Sequence, residues 1–285
     1  MMVKFDYLKP KTKMDLALLL AKHAEEAKLM AGGTDLLVLM RDKVLRPRYV
    51  IDVKGVPELG KLEYNEYDGL RIGAAVTLNE ILKMEVVREK FTALWEAAET
   101  LADPTIRNRA TLAGNICNAS PASDTAPALL VLDAEVEVKS EWGERRIPIQ
   151  EFFKGVKKTA LERGEFVTAI LVPNPPEGAR SGYLKWGRTK GEDLAVVGVA
   201  ALVANIGSAT VRIALSSVAP TPIFVPEAQQ AFENGASVDE KIEKVTAAVM
   251  GKICPISDLR CCKEYRLSMA GVLTRRIMKK LVEAS

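Results

Sequence analysis

Histidine occurs once in this chain of 285 residues, as His23. A single imidazole excludes multi-histidine metal centres and most nucleophile–histidine triads. Set in a polar helical stretch, His23 is expected at the surface. Cysteine is scarce too. The four present, Cys117, Cys254, Cys261 and Cys262, match neither zinc spacing nor an iron–sulfur ligand run, which need thiolates clustered in short loops. The adjacent Cys261 and Cys262 are poorly placed to ligate one metal or form a relaxed disulfide, so all four are expected as reduced thiols. No apolar run reaches membrane-spanning length: the longest, Leu194 to Ile206, is about 13 residues. No apolar leader is visible, since Met1-Met2-Val3-Lys4-Phe5-Asp6-Tyr7 carries charge where one is needed. The net charge of +3 is too small to argue for nucleic acid or an anionic membrane surface. What is there, 48% apolar and 27% charged residues, suits a soluble globular protein with one large domain or two ordinary ones. The expectation is a cytoplasmic protein.

The chain begins by alternating helix and strand. Met14 to Glu26 has apolar residues at helical spacing, Ala27 to Ala31 reads as a strand ending in Gly32-Gly33, and a helix starts at Thr34 or Asp35 and runs to Met40. Arg48 to Val53 is another strand, completing a small α/β subdomain. From about Leu62 a second part begins. It has a strand at Leu70–Val76, a helix capped by Thr77 and broken near Glu85, and a helix from Phe91 to Leu101. A polar, irregular stretch from Asp103 to Asp124 follows, then a helix through Pro127 to Leu132 and strands at Ala134–Lys139 and Glu165–Val172. Pro173-Asn174-Pro175-Pro176-Glu177-Gly178 marks a boundary. Beyond it, strands at Ser181–Arg188, Ala195–Ala204 and Thr210–Val218 precede helices that include Asp239–Met250 and Glu264–Glu283. Strands followed by helices predict a separate α+β domain whose sheet is covered on one face.

Two segments carry chemistry. In Ala31-Gly32-Gly33-Thr34-Asp35-Leu36-Leu37 a strand runs into two glycines just before a helix, letting backbone N–H groups approach an anionic ligand. Phosphate is the natural guest, and a plain tight turn is the other reading. Neither the Gly-rich Rossmann fingerprint nor a nucleoside-triphosphate loop is present. The second segment is Thr105-Ile106-Arg107-Asn108-Arg109-Ala110-Thr111-Leu112-Ala113-Gly114-Asn115-Ile116, continued by Cys117-Asn118-Ala119-Ser120-Pro121-Ala122-Ser123-Asp124. A loop this long without structure of its own is usually functional. Its small hydroxyl and amide side chains suit a polyhydroxyl diphosphate ligand. Ser123 or Asp124 can cap the next helix, so Asp124 is open between cap and ligand contact.

Together these segments resemble the FAD-binding medium subunits of the xanthine dehydrogenase and carbon monoxide dehydrogenase family. Asp258-Leu259-Arg260 and Glu264-Tyr265-Arg266 resemble the start of that family's last helix, so the similarity covers nearly the whole chain. The resemblance implies an α+β fold. Its N-terminal FAD-binding region, of the vanillyl-alcohol-oxidase (PCMH) type, spans 1–176 in subdomains of about 1–57 and 58–176. A C-terminal α+β domain like that of CO dehydrogenase flavoproteins, a sheet covered by helices, spans 177–285. It also implies that the segment from Leu29 and Met30 to Leu36 holds the FAD diphosphate on backbone donors, completed by Thr111, Gly114 and Asn115. Leu101 and Ala110 fall at further cofactor positions. Asp35, awkward beside an anion, is expected to turn back onto its helix N-terminus. Ser123 and Asp124 would bond ribityl or ribose hydroxyls. Val167 falls where the family contacts the cofactor. Lys185 matches a lysine beside the isoalloxazine ring, where a cation favours the reduced flavin; without the resemblance it reads as a solvated lysine on an edge strand. Bulk at Gly32 or Gly114 is expected to abolish flavin retention with the fold largely intact. Many family members carry glycine where this chain has Ala110 and Ala113, and alanine requires a negative φ there. Arg107 and Arg109 are notable beside a diphosphate, with at least one facing solvent or a partner.

No catalytic residue or metal ligand is implied in this chain. The family's reaction is divided among subunits: a large molybdenum (molybdopterin) subunit oxidises substrate, a small subunit carries two [2Fe-2S] clusters, and FAD passes electrons to NAD, a quinone or oxygen. A dimer of heterotrimers is the implied assembly. Two alternatives stand beside this reading: a stand-alone flavin oxidoreductase of the same fold, for which the chain offers no obvious acid or base, and a flavin-free structural subunit.

Overall fold

The computed structural model describes residues 4–189, 192–204, 210–233 and 237–283. The reading of Met1-Met2-Val3 and the last two residues of the Leu194–Ile206 run lie outside these. The first unit is β1 (Asp6–Leu8), α1 (Lys13–His23), β2 (Ala27–Met30), α2 (Leu36–Arg41) and β3 (Tyr49–Asp52), with β1 and β2 both parallel to a central β3. Thr12 caps α1 by accepting the Asp15 amide, and Leu16, Ala17 and Leu20 put one helix stripe into the core. His23 is half-buried rather than at the surface proper. Its ring lies 3.9 Å from that of Tyr49.

The second unit holds β4 (Leu62–Asn65), β5 (Gly69–Gly73), then α3 (Leu78–Lys83), α4 (Glu85–Lys90), α5 (Thr92–Glu99), α6 (Pro104–Arg107), α7 (Leu112–Cys117) and α8 (Thr125–Val131). After these come β6 (Glu135–Lys139), β7 (Glu144–Pro148), α9 (Ile149–Phe152), the two short strands β8 (Phe153–Gly155) and β9 (Lys158–Thr159), and β10 (Phe166–Val172). Its sheet is antiparallel in the order β4-β5-β10-β6-β7. Thr77 and Glu80 form a reciprocal capping box that fixes the start of α3. The expectation of an unstructured Asp103–Asp124 loop is corrected: α6 and α7 lie within it. Helices this short show no complete apolar period, so their start signals, Asp103-Pro104 and Thr111, are all the sequence offers.

Across this sheet Arg71 donates to both oxygens of Glu137 at 2.9 and 2.8 Å, and Thr168 Oγ1 adds a third bond at 2.6 Å. The Arg71 guanidinium, with Thr168, holds the Glu137 carboxyl down at about 2 although burial opposes it. A carboxylate with a depressed folded-state pKa contributes stability above its unfolded value of about 4.3, and that stability is lost as pH falls towards 2. Glu137→Gln should therefore cost about 2 kcal/mol at pH 7, a figure reduced for the partial exposure of Arg71. In urea unfolding at pH 2.5 the variant and wild type should converge; an unchanged gap would refute the assignment.

After the Pro173–Gly178 connector comes a four-stranded antiparallel sheet, β11 (Arg180–Trp186), β12 (Val197–Ala204), β13 (Thr210–Ser216) and β14 (Ile223–Phe224), then α10 (Glu227–Glu233), α11 (Val238–Lys252) and α12 (Lys263–Glu283). Every residue of β12 is buried, and successive side chains serve different cores. Val197, Val199, Ala201 and Val203 pack with α11 and α12, whereas Ala200, Leu202 and Ala204 join the core built by α5 and α8. The sheet is thus covered on both faces, which corrects the one-face expectation. Its second face is what carries β11 to the site described next.

Candidate functional site

Two backbone turns meet at the centre of the site. The first leaves β2 at Met30 and enters α2 at Leu36, with Gly33 at φ +80°, a conformation glycine adopts without a side-chain clash. None of the amides of Gly32, Gly33, Thr34 and Asp35 donates to a protein acceptor among the described residues. Four consecutive unpaired amides in a half-buried turn form a concave donor set that suits an anion. The second turn is Arg109-Ala110-Thr111, where Thr111 bridges to Thr77 and its hydroxyl accepts the Gly114 amide at 3.0 Å to cap α7. The turns touch backbone to backbone. A Cβ on Gly32 would lie 2.1 Å from the Arg109 carbonyl oxygen. Gly32 is therefore needed for the closure of one turn on the other, and the expectation that bulk at Gly32 would leave the fold largely intact is corrected. Ala110 and Ala113 are absent from the positive-φ residues, so alanine is tolerated at both.

Asn118 ties the turns together. Its Nδ2 donates to Asp35 Oδ1 at 2.7 Å, and its Oδ1 accepts from Lys157 Nζ at 2.6 Å. Asp35 makes no side-chain cap bond to α2, which overturns that expectation. Asn115 Oδ1 accepts from both Ser123 (2.6 Å) and Thr125 (2.7 Å), pinning the end of the polar run. The helix-capping oxygen of α8 is that of Ser123, which accepts the Ala126 amide at 3.3 Å.

Two adjoining cavities follow from this packing. One, of about 240 Å³, is lined by Leu29, Met30, Ala31, Gly32, Gly33, Leu36, Gly114 and Val167, with Leu39, Val53, Ala74, Ala113 and Cys117 added by the structure. The other, of about 500 Å³, is lined by Leu101, Ala110, Asn115, Ser123 and Asp124, and also by Ala102, Ile106, Ser120, Ala122, Arg188, Glu192, Asp193 and Leu194. Thr34, Asp35, Thr111 and Asn118 line both. Together they fall within the roughly 300–1,000 Å³ typical of cofactor sites. Of the residues that the resemblance places at the cofactor, only Lys185 lines neither. Ser120 and Ala122 belong to the polar run visible in the sequence. Arg188, Glu192, Asp193 and Leu194, beyond the Pro173–Gly178 connector, gave no local signal.

Behind the larger cavity lies a buried charge cluster. Asp124, 5% exposed, accepts from Tyr183 Oη at 2.7 Å and from Lys185 Nζ at 2.8 Å, and Lys185 also donates to the Thr100 carbonyl at 3.1 Å. Strand alternation puts Tyr183 and Lys185 on one face of edge strand β11. Lys185, with 9% of its side chain exposed, is therefore not the solvated edge-strand lysine of the alternative reading. Burial pushes the Asp124 carboxyl upward while Lys185 and Tyr183 pull it back; burial and that carboxylate push the Tyr183 phenol well above its usual range. Asp124 is neither a bare cap nor a free ligand group.

Arg107, the last residue of α6, turns its guanidinium onto the end of α5, donating to the carbonyls of Glu99, Leu101 and Ala102 at 2.8–3.0 Å, and Arg109 is exposed. The four cysteines are unpaired, and burial pushes the thiol of cavity-lining Cys117 up to about 12.

With this geometry the comparisons agree. The family described as FAD binding domain in molybdopterin dehydrogenase matches residues 3–175, and that of the CO dehydrogenase flavoprotein C-terminal domain matches residues 182–281. The putative xanthine dehydrogenase FAD-binding subunit of Escherichia coli (strain K12) is 33% identical, over 98% of this chain and 96% of its own length. The carbon monoxide dehydrogenase medium chain of Afipia carboxidovorans is 31% identical over 97% and 96%. Among solved structures, carbon monoxide dehydrogenase from Hydrogenophaga pseudoflava superposes with a TM-score of 0.93 at 31% identity, covering 99% of each chain.

Proposed function

The chain belongs to the FAD-binding subunits of the xanthine and carbon monoxide dehydrogenase family, and from that premise we propose that it relays electrons from the [2Fe-2S] clusters of a partner subunit to an external acceptor. As an FAD-binding member of this family it is a subunit of an oxidoreductase. The observation that carries the reading is the row of unpaired amides from Gly32 to Asp35, opening between two cavities whose residues come from both turns. Those amides take the diphosphate, joined by Thr111 and Gly114 from the opposite turn. Leu29, Met30, Leu36 and Val167 supply apolar walls, and Leu101 and Ala110 line the second cavity. Asn115 and Ser123, already bonded to each other, form a rigid polar edge. Asp124 has lone pairs left after Tyr183 and Lys185 are counted, so it can accept a sugar hydroxyl. Lys185 reaches the site through Asp124, and its charge is largely offset by that carboxylate.

When bound, FAD supplies one- and two-electron transfer; the protein supplies position, electrostatics and shelter from water. The remaining assignments follow the same reading. The division is 1–176 (with subdomains of about 1–57 and 58–176) and 177–285. The partners are a small [2Fe-2S] subunit and a large molybdenum subunit arranged as a dimer of heterotrimers, and NAD, a quinone or oxygen is the acceptor. Among the described residues no helix is long and apolar enough to cross a membrane.

The test is anaerobic. FAD-loaded chain is mixed with the substrate-reduced molybdenum and iron–sulfur subunits of its complex, and flavin bleaching is followed by absorbance. The relay reading expects bleaching that requires the iron–sulfur subunit. Flavin reduced by substrate in the isolated chain would instead establish a stand-alone flavoenzyme.

A further inference from the structure

Behind the first glycine turn is a polar cluster that neither cavity uses. Lys54 Nζ donates to the Ala31 carbonyl at 2.9 Å and to Asp52 Oδ1 at 2.5 Å. The same Asp52 oxygen accepts the Lys54 amide at 3.0 Å, and the Tyr7 hydroxyl donates to the other one. Asp52 is 8% exposed at the end of β3, directly beside the end of β2. The cluster therefore links β1, β3 and the residue that opens the glycine turn.

The Ala31 carbonyl and the Gly32 amide belong to one planar peptide unit, so fixing the direction of the C=O fixes that of the N–H. A cationic donor on that carbonyl also polarises the unit and makes its N–H a stronger donor. The neighbouring glycines do little to hold this plane, since neither has a side chain and Gly33 sits at φ +80°. Two restraints remain: the Arg109 carbonyl packed on Gly32 from one side, and Lys54 from the other. Lys54 is itself restrained, because Asp52 is gripped by Tyr7 and by the Lys54 amide.

We propose that Lys54 is a positioning residue for the diphosphate turn, orienting the Ala31–Gly32 peptide so that the Gly32 amide points at the anion, with Asp52 and Tyr7 holding it in place. This rests on the reading that the turn from Gly32 to Asp35 receives the FAD diphosphate. Charge alone does not account for the role, because Asp52 neutralises the ammonium.

The experiment compares FAD with riboflavin, which lacks the diphosphate, by fluorescence titration of the full-length apoprotein. Wild type should bind FAD far more tightly than riboflavin. Lys54→Met should weaken FAD by about 10- to 100-fold and leave riboflavin within about twofold, while lowering the apoprotein melting temperature because Asp52 loses its cationic partner. Lys54→Leu provides a second variant with the same expected outcome, and Lys54→Arg, which can donate to the same carbonyl, should restore most of the FAD affinity. The double variant D52N/K54M, in which no unpaired carboxylate remains, should stay weak; recovery there would mean that charge and not orientation is at work, and would overturn the proposal. Equal losses of FAD and riboflavin would also overturn it. If wild type prefers FAD but Lys54→Met behaves like wild type, Lys54 alone is misassigned. If wild type shows no preference, the diphosphate reading itself fails.

Discussion

Lys185→Met should lower stability by about 3–5 kcal/mol near neutral pH, the usual cost of removing one partner from a buried ion pair. The cost arises from what is left behind. Asp124 is 5% exposed, and without Lys185 its remaining side-chain donor is the Tyr183 hydroxyl. Deprived of the ammonium, the carboxyl would take up a proton rather than remain charged in a low-dielectric site. Its folded-state pKa, already raised by burial, would then climb further above the unfolded value of about 3.9. For a carboxyl shifted in that direction, stability is full below the unfolded pKa and is lost as pH rises through the folded one. The deficit of the variant should therefore be small near pH 4 and grow towards pH 8. Chemical denaturation at both pH values measures it. A deficit independent of pH would show that Lys185 contributes packing of its stem instead of charge. Because β11 lies across the connector from α8, the same variant should also loosen the contact between the two halves of the chain.

Gly32→Ala should reduce FAD affinity by about 100-fold or more. The added methyl would meet the Arg109 carbonyl oxygen at 2.1 Å, the Arg109 carbonyl carbon at 2.7 Å and the Ala110 Cα at 2.9 Å. All three atoms are backbone, so no rotamer change relieves the clash and the two turns must part. Overpacking of this kind typically costs about 1–3 kcal/mol in stability. The larger loss falls on binding, because the donors on the two turns no longer face one ligand. Gly143→Ala is the matched control, since a Cβ there meets nothing within 4 Å. Flavin titration and thermal melts of both variants decide the matter: wild-type affinity in Gly32→Ala would mean that the turns do not act as one cradle.

These two sites differ in how far the sequence reveals them. The Ala31–Leu37 turn is visible because local chemistry makes it: a strand, two glycines and a helix in sequence. Its correct partner was also legible, since the resemblance joins it to Thr111-Leu112-Ala113-Gly114-Asn115. The packing of Gly32 on Arg109 was not, because a missing side chain looks the same whether it admits a ligand or a neighbouring backbone. Lys185 could be selected only by resemblance. Its ion pair spans 61 residues of chain, and no local pattern announces an edge-strand lysine that is buried. Asp35 departs from its expected role for a related reason. A carboxylate at a helix start usually bonds its own helix, but here Asn118 competes from the end of α7.

The fold shows the same division. Longer helices and strands follow their apolar periods, as α1, α11 and α12 do. The short helices α6 and α7 and the brief strands β1 and β14 do not last long enough to show one. The run Val197–Ala204 is legible in a different way. It contains no polar residue and no alternation, the pattern of a strand buried on both faces. That pattern announces the core shared with α5 and α8, and hence the route by which Tyr183 reaches Asp124.

The central claim, that this chain holds one FAD between its two turns, is tested most directly by denaturing the purified full-length protein and identifying and counting what it releases. The account predicts FAD at one molecule per chain, or a stripped chain that takes up one equivalent on addition. A colourless chain that refuses added FAD would contradict it, and would leave the unpaired amides from Gly32 to Asp35 as an ordinary solvated turn.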